Sequence, residues 1–344
     1  NLTAGAGDDA SAVVLSDECN DLSDNFVTVI VETPNGGTVA AANGETTVFT
    51  CPGDGVADVI EFDSAGTSQG AHTYVITDEN NEILALPSGD SYDFDDAPAG
   101  TCRVWGLTYT GNITAVVGDI ATDVALTDDC FDLSENFITV IRQTPDGGTI
   151  SLDDGTTDAF TCPGDGMADM LTFERMGTYP GPFAYVITDE DNVILDFANG
   201  NTYDFDNAPA GTCRVWGLAY TGEVTAMIGD TASVAILSDD CFDLSDNFIT
   251  VVREVPVGGT VELEGGGDLA FICPDDSLSN VLAFDSAGVV GPNFIYVVTD
   301  QQNIILDAFP VDVYDFETNQ TGIVRVWGLA YTGNLIAEPG DTAS

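Results

Sequence analysis

Short runs of β-branched and aromatic residues recur along the whole chain, cut by clusters of Gly, Pro, Asn and Asp at intervals of about eight to twelve residues. Polar and apolar positions alternate with a period of two inside the runs, the signature of half-buried strands in a sandwich. The first complete stretch predicts strands at Thr38–Ala41, Thr46–Thr50, Val59–Asp63, Thr73–Thr77, Ile83–Leu86, Ser91–Asp95, Cys102–Tyr109 and Ile113–Val117. Asp78 to Glu82 reads as a hairpin turn between two of them. In Arg103-Val104-Trp105-Gly106-Leu107, alternation sends Arg103, Trp105 and Leu107 to one face and Val104 to the other. Helical periodicity is weak, and only Asp8–Ser16 and its copies suit a turn or two of helix.

The pattern repeats. Cys19, Cys130 and Cys241 are spaced by 111, as are Cys51, Cys162 and Cys273, and Trp105, Trp216 and Trp327. A period this long means globular domains in series, because solenoid repeats run to only ~20–50 residues. The fold class expected is therefore all-β: tandem immunoglobulin-like β-sandwich domains in a linear array. The breaker Pro-x-Gly-Gly at 34–37, 145–148 and 256–259 sets the boundaries. It gives a closing segment at 1–35, repeats at 36–146 and 147–257, and a repeat at 258–344 that lacks its closing segment. A competing cut at Gly118-Asp119 makes the Gly-Gly an ordinary hairpin turn. The 344 residues are three periods and 11 more, so Asn1–Ser11 matches Asn334–Ser344.

Such ends are complementary, in one of two ways: the chain is an excerpt of a longer array, or its first 35 residues complete the last domain of a neighbour by strand donation. A head-to-tail contact of that kind does not close and makes filaments. An opening segment of 35 residues that sealed its own molecule, or hung free in solvent, would overturn this continuation and the assembly argument with it.

The charge narrows the partners. With 58 acids, six arginines and no lysine, the net charge of −52 repels nucleic acid and anionic lipid and attracts cations. No apolar run approaches the ~18 residues of a membrane span. A saline or calcium-containing exterior suits such a surface, and the chain reads as a mature or excised segment. The expected partner is a further copy of itself, with glycans or other surface proteins as alternatives.

Eight cysteines beside a single histidine, His72, argue for disulfides over a zinc site. His72 stands where the other copies have Phe183 and Phe294, which makes it an aromatic packing substitute. Val324 replaces the third cysteine of the last copy, so the first two positions are expected to pair with each other. Cys19–Cys51, Cys130–Cys162 and Cys241–Cys273 satisfy this. So do Cys51–Cys130 and Cys162–Cys241, leaving Cys273 to meet Cys19 of a neighbour. Cys102–Cys130 with Cys213–Cys241 is a third arrangement. Disulfides place the chain outside the reducing cytosol.

Acidic turns are the candidate metal sites. Asp54 and Asp58 recur as Asp165 and Asp169 and then decay to Asp276 and Asn280, and oxygen ligands on a glycine-bearing turn suit calcium. Asp78, Asp189 and Asp300, the pairs Asp93/Asp95 and Asp204/Asp206, and Asp8, Asp119 and Asp230 are comparable. Arg103, Arg214 and Arg325 recur beside Trp105, Trp216 and Trp327. These are either a sugar-stacking platform or an arginine stacked on tryptophan within the sheet. No nucleophile elbow, Walker loop or zinc-protease motif occurs, and a repeated sandwich without a cleft is a poor site for a glycosidase pair. An enzyme is not expected.

The phrases LSDDCFDLSDNFITVV (237–252), AGTCRVWGLAYTG (210–222) and PDGGT (145–149) resemble the tandem repeats of very large secreted surface proteins of marine Bacteroidetes. The resemblance implies export by a sorting-dependent outer-membrane route, attachment at the cell surface, and adhesive or filament-forming roles. It also implies O-glycosylation at Asp-Ser/Thr-Ala/Leu triplets, which Ser64, Thr231, Ser277, Ser286 and Thr342 fit.

Overall fold

The computed structural model describes residues 5–13, 15–29, 31–95, 99–206, 208, 210–273, 279–317 and 322–343, and these are all-β. Eight strands build the first unit: β1 (Thr38–Ala41), β2 (Thr47–Thr50), β3 (Val59–Ala65), β4 (Ala71–Asp78), β5 (Ile83–Ala85), β6 (Ser91–Asp93), β7 (Gly100–Tyr109) and β8 (Phe131–Arg142). They form a sandwich of two sheets, ordered β1-β3-β6 and β2-β8-β7-β4-β5. The second unit repeats the plan with β9 (Thr149–Leu152), β10 (Asp158–Thr161), β11 (Met170–Met176), β12 (Phe183–Asp189), β13 (Ile194–Phe197), β14 (Thr202–Asp204), β15 (Gly211–Tyr220) and β16 (Phe242–Arg253). Its sheets are ordered β14-β11-β9 and β10-β16-β15-β12-β13. The expected tandem sandwich class is what these strands form, and among the described residues no sheet draws strands from two units.

Strand β8 holds the first unit together, as β16 does the second, although the sequence pattern names no strand there. It lies inside the larger sheet, parallel to β2 and antiparallel to β7. Its alternation serves two cores. Ile138 and Val140 enter the sandwich with Ile60, Phe62, Phe94 and Val104. Phe131 and Leu133 face outward with Trp105 and Leu107, where Ala115, Ala121 and Leu126 of the preceding loop cover them. Ile113–Val117 is thus a covering segment rather than a strand; Ile113 makes a single bridge to Thr127. The described part of 8–16 forms turns and no helix.

Gly36 and Gly147 pass so close to the backbones of Leu133 and Leu244 that a Cβ would overlap them. At the alternative cut, Gly118 N donates to Ile83 O at 2.9 Å and Ile83 N to Asp119 O at 2.8 Å.

The third unit has β17 (Thr260–Leu263), β18 (Val281–Ala287), β19 (Asn293–Asp300), β20 (Ile305–Phe309), β21 (Val313–Asp315) and β22 (Val324–Tyr331), in sheets β17-β18-β21 and β20-β19-β22. Residues 269–272, the counterparts of β2, form no strand, and among the described residues β22 is the edge of its sheet. Beside it lies an open groove of about 980 Å³ lined by Val261, Leu263, Phe284, Val326 and Trp327 among others. These are the counterparts of residues that pair or pack with β8. The opening segment, whose residues 20–31 match β8, forms no strand in its described part, and Leu22, Phe26, Val27 and Val29 are exposed.

Candidate functional site

The site is the joint between units, and strand direction creates it. Because β2 runs parallel to β8, with Thr50 opposite Arg142, Cys51 lies where β8 ends and the chain leaves the unit. Cys130 precedes Phe131 at the other end, where Gly36 N donates to Asp132 Oδ2 at 2.9 Å. The 12 residues of β8, at about 3.4 Å each, separate the two thiols by about 40 Å. Cys51 therefore marks the trailing end of its unit and Cys130 the leading end.

This geometry corrects the expected pairings. Cys51–Cys130 and Cys162–Cys241 would have to span a whole unit. Cys130–Cys162 and Cys241–Cys273 would join a leading end to the far end of the next unit, and Cys19–Cys51 is not formed either. Cys102 and Cys213 are buried inside the sandwich cores, which takes Cys102–Cys130 and Cys213–Cys241 away. Instead Cys51 is bonded to Cys241, with Cα atoms 5.8 Å apart across 190 residues of sequence. The bond joins the trailing end of the first unit to the leading end of the second. Phe49 and Tyr179 add an aromatic contact between the same two units at 6.3 Å.

Carboxylates surround this bond. Asp54 Oδ2 lies 3.5 Å from Cys241 Sγ, and ligand atoms of Cys51, Asp54, Asp240 and Cys241 all fall within 4.8 Å of one another. Asp58 is only 8% exposed, and among the described residues its Oδ2, Asp95 Oδ1 and Asp240 Oδ1 have no hydrogen-bond partner. Burial, reinforced by the charges of Asp240, Asp54 and Asp95, pushes the Asp58 carboxyl up to about 7. Burial raises Asp240 as well, and Asp54 adds to it. With both sulfurs in a disulfide, the donors left are carboxylate oxygens, the ligand set of a hard divalent cation such as calcium.

The second unit carries the trailing half of the same arrangement. Asp165, Asp169 and Asp206 stand around the half-buried Cys162, and Asp169 Oδ2 and Asp206 Oδ1 lack partners. Burial and the charges of Asp165 and Asp206 raise the Asp169 carboxyl. In the third unit Asn280 and Glu317 replace Asp58 and Asp95, and Asn280 Nδ2 donates to Glu317 Oε2 at 2.6 Å. Asp276 lies outside the described residues. The turn acids Asp78, Asp189 and Asp300 instead close hairpins, accepting backbone N–H bonds two and four residues ahead.

Sequence reasoning missed Arg142 and Arg253. Both are buried at the ends of β8 and β16, where Arg142 Nε donates to Phe94 O at 3.1 Å and Arg253 Nη2 to Asp206 O at 3.3 Å. They hold the acidic loop against the trailing end. The available signal was their recurrence one period apart in a lysine-free chain.

The Arg-Trp pairs are built inward. Arg103 lies 4.8 Å over the Phe137 ring and donates to Asn81 Oδ1 at 2.9 Å; Asn81 sits in the left-handed region of its turn at φ 66°. Trp105 leans on the same Phe137 ring at 4.7 Å. Arg214 and Trp216 treat Phe248 identically, so the stacking partner is phenylalanine and not tryptophan. Arg325 keeps its turn contact to Asn303, but among the described residues no ring covers Trp327, which is 47% exposed in the groove wall. His72 sits edge-on to Tyr74 at 5.2 Å, as Phe183 does to Tyr185 and Phe294 to Tyr296. Of the triplet hydroxyls, Ser64, Ser286 and Thr342 are exposed, Thr231 is half-buried, and Ser277 lies outside the described residues.

No protein-family model matches the sequence, and no characterised protein matches it at the sequence level. Among solved structures the chain is similar to the fibronectin(III)-like modules of Clostridium thermocellum CbhA, at 10% identity over 63% of this chain and 95% of that one, with a TM-score of 0.29. It is also similar to domains 4–9 of surface layer protein SbsC, at 12% identity over 88% of this chain and 44% of that one, TM-score 0.26. An I-band fragment of titin matches at 6% identity over 88% and 90%, TM-score 0.24.

Proposed function

We propose that this chain is an extracellular structural or adhesive repeat protein whose sandwich units continue end to end, by strand complementation between copies or as part of a longer repeat array. One observation carries this reading: the third unit has an open β8-shaped groove, and the opening segment keeps the β8 side chains. In the first unit Asn136 clamps Val39, donating to its carbonyl and accepting from its N–H, both at 2.8 Å, and Ser134 Oγ accepts from Gly106 N at 3.0 Å. Ser23 and Asn25 stand at those positions in the opening segment, and Phe26 at that of Phe137. Val261, Gly328 and Trp327 wait opposite.

By the criterion drawn from the sequence, the exposure of Leu22, Phe26, Val27 and Val29 goes against strand complementation. What supports the coarser reading, sandwich units in series, is the plan that the first two units share. A divalent cation held by Asp54, Asp58, Asp95 and Asp240 would then stiffen the joint between the first two units, which suits an adhesive or load-bearing role at a cell surface. An enzymatic role is not proposed.

Light scattering and electron microscopy of the full chain under reducing conditions test the assembly. Rods lengthening with concentration are expected, and a variant lacking residues 1–35 should stay a single short rod. Full-length chains that remain monomeric at all concentrations overturn the reading.

A further inference from the structure

The disulfide at the joint covers a second set of metal donors. We propose that the Cys51–Cys241 bond gates a metal site: once it is reduced, the two thiolates join Asp54 and Asp240 to hold one zinc ion, or a cation of similar softness, between the trailing end of the first unit and the leading end of the second. This goes beyond the calcium role proposed above, since it concerns the reduced chain and a different class of ion, and it needs only the joint inside this chain.

The donors come from both units and converge. The sulfurs of Cys51 and Cys241 and one carboxylate oxygen each of Asp54 and Asp240 lie within 4.8 Å of one another. Donors at about 2.0–2.3 Å from a tetrahedral zinc stand about 3.3–3.8 Å apart, so the carboxylates need only close in slightly. The sulfurs must part from the roughly 2.0 Å of a disulfide to about 3.8 Å, which side-chain rotation supplies over a Cα separation of 5.8 Å. Two sulfurs and two oxygens complete a four-ligand shell without histidine, so the single histidine that speaks against zinc in the sequence does not bear on this place.

The surroundings call for a cation independently of these four donors. Asp58 is 8% exposed, and among the described residues its Oδ2 has no hydrogen-bond partner. It stands in the field of Asp240 and Asp54, and Asp240 Oδ1 is likewise buried and unpartnered among the described residues. Buried carboxylates without partners are costly, and one dipositive ion between the units offsets that cost for all of them. Softness then decides which ion enters. In the disulfide the sulfurs are neutral and only oxygens remain to bind, which favours a hard cation; as thiolates they carry two charges and favour zinc over calcium.

Opening the site takes two electrons. Cys241, half-buried where Cys51 is 2% exposed, is the sulfur that a small thiol such as glutathione can reach. Two such thiols become one disulfide, and their two protons pass to Cys51 and Cys241. Zinc then displaces those two protons as the two Zn–S bonds form. Reoxidation by a small disulfide, with two protons returned, releases the ion and restores the S–S bond.

The test uses the full chain carrying Cys19→Ser, Cys130→Ser, Cys162→Ser and Cys273→Ser, which leaves the joint pair and the two thiols sealed in the cores. Reduced with a phosphine and titrated with cobalt(II) in place of zinc, it should bind one equivalent. Sulfur-to-cobalt charge-transfer absorption and the intense visible bands of a tetrahedral site should appear together, and one equivalent of zinc should erase both. The disulfide form should show neither. Cys241→Ser should diminish the charge-transfer absorption, and Asp54→Asn with Asp240→Asn should keep that absorption per bound ion while weakening binding at least about tenfold. A reduced chain without the tetrahedral spectrum, the same spectrum in the disulfide form, or binding unchanged by the two asparagines overturns the gated site. Calcium calorimetry on the disulfide form reads the hard-cation role separately, so either can fail alone.

Discussion

The second and third units share one plan and differ by one strand, and that difference shows what the strand does. Where β16 is present, Val215, Leu218 and Ala219 of β15 are fully buried, and Phe248 covers Trp216. Where its counterpart is missing, Val324, Val326 and Leu329 of β22 are only half-buried and Trp327 is open. The neighbouring strand goes as well. Residues 158–161 pair with β16, while 269–272 have nothing to pair with and leave Phe271 and Leu269 exposed. One segment thus organises a sheet, two cores and a second strand, which is why its absence leaves a groove rather than a smaller closed sandwich.

The largest expected effect comes from supplying the missing strand in cis. Fusing a copy of residues 12–35 after Ser344 should place the counterparts of Leu22, Phe26, Val27 and Val29 in the groove. At about 1.5–3 kcal/mol for each buried side chain, the gross gain is roughly 6–12 kcal/mol, before the cost of ordering the segment. The fused chain should be monomeric, with Trp327 emission shifted to the blue and the unfolding of the third unit moved up to join the others. An unchanged third transition breaks the comparison between the two units.

Asn136 gives the next effect. Asn136→Ala strips both partners from the backbone of Val39, which is only 2% exposed, and at about 1–3 kcal/mol for each unsatisfied group should cost roughly 2–6 kcal/mol in chemical denaturation. Asn25→Ala, at the same place in the repeat, should leave the stability of an isolated chain unchanged and weaken only end-to-end association. Equal losses of chain stability for the two variants would mean that residues 20–31 are not held in reserve as a donor.

These contrasts also measure what the sequence could teach. Strands β1 to β7 were legible to within two or three residues because their alternation and turn chemistry are local. β8 was hidden because its residues serve two cores, so Phe131 and Leu133 and then Ile138 and Val140 fall on opposite faces across the register shift opposite Gly106. The cysteines could be grouped by period but not paired, since pairing depends on which end of a unit each thiol occupies. That in turn depends on the parallel alignment of β2 with β8. Asp54 and Asp58 were visible as a turn, whereas Asp240 approaches them from the next unit and no local pattern announces it.

The joint supplies a pH-dependent comparison, because Asp58 and Asn280 occupy the same place in different units. The folded carboxyl of Asp58 titrates near 7, above its ordinary value, so in the absence of divalent cations its contribution to stability is complete below about pH 4 and is lost as the pH rises through 7. Calcium should reverse that trend, adding about 2.7 kcal/mol at a hundredfold excess over Kd. Asp58→Asn should flatten the pH dependence of the first unit and abolish its calcium response, as Asn280 already does for the third. Calorimetry with calcium and with chelator, from pH 4 to 8, measures both. A calcium response that survives the substitution would move the cation elsewhere.

The smallest expected effect isolates His72, the one departure from phenylalanine among three equivalent ring pairs. Burial holds its imidazole below the ordinary value, while its Nδ1 lies 3.0 Å from Thr108 Oγ1. The unfolded chain therefore takes up a proton first as the pH falls below about 6.5, and stability is lost in that window but complete above it. His72→Phe should leave the melting temperature at pH 8 within about 2 °C of the parent and raise it relative to the parent at pH 5. Because Phe183 already makes the same edge-on contact without titrating, the substitution should make the acid limb of the first unit match that of the second. A variant less stable than the parent at pH 5 would mean that the bond to Thr108, rather than the ring contact with Tyr74, is what the position supplies.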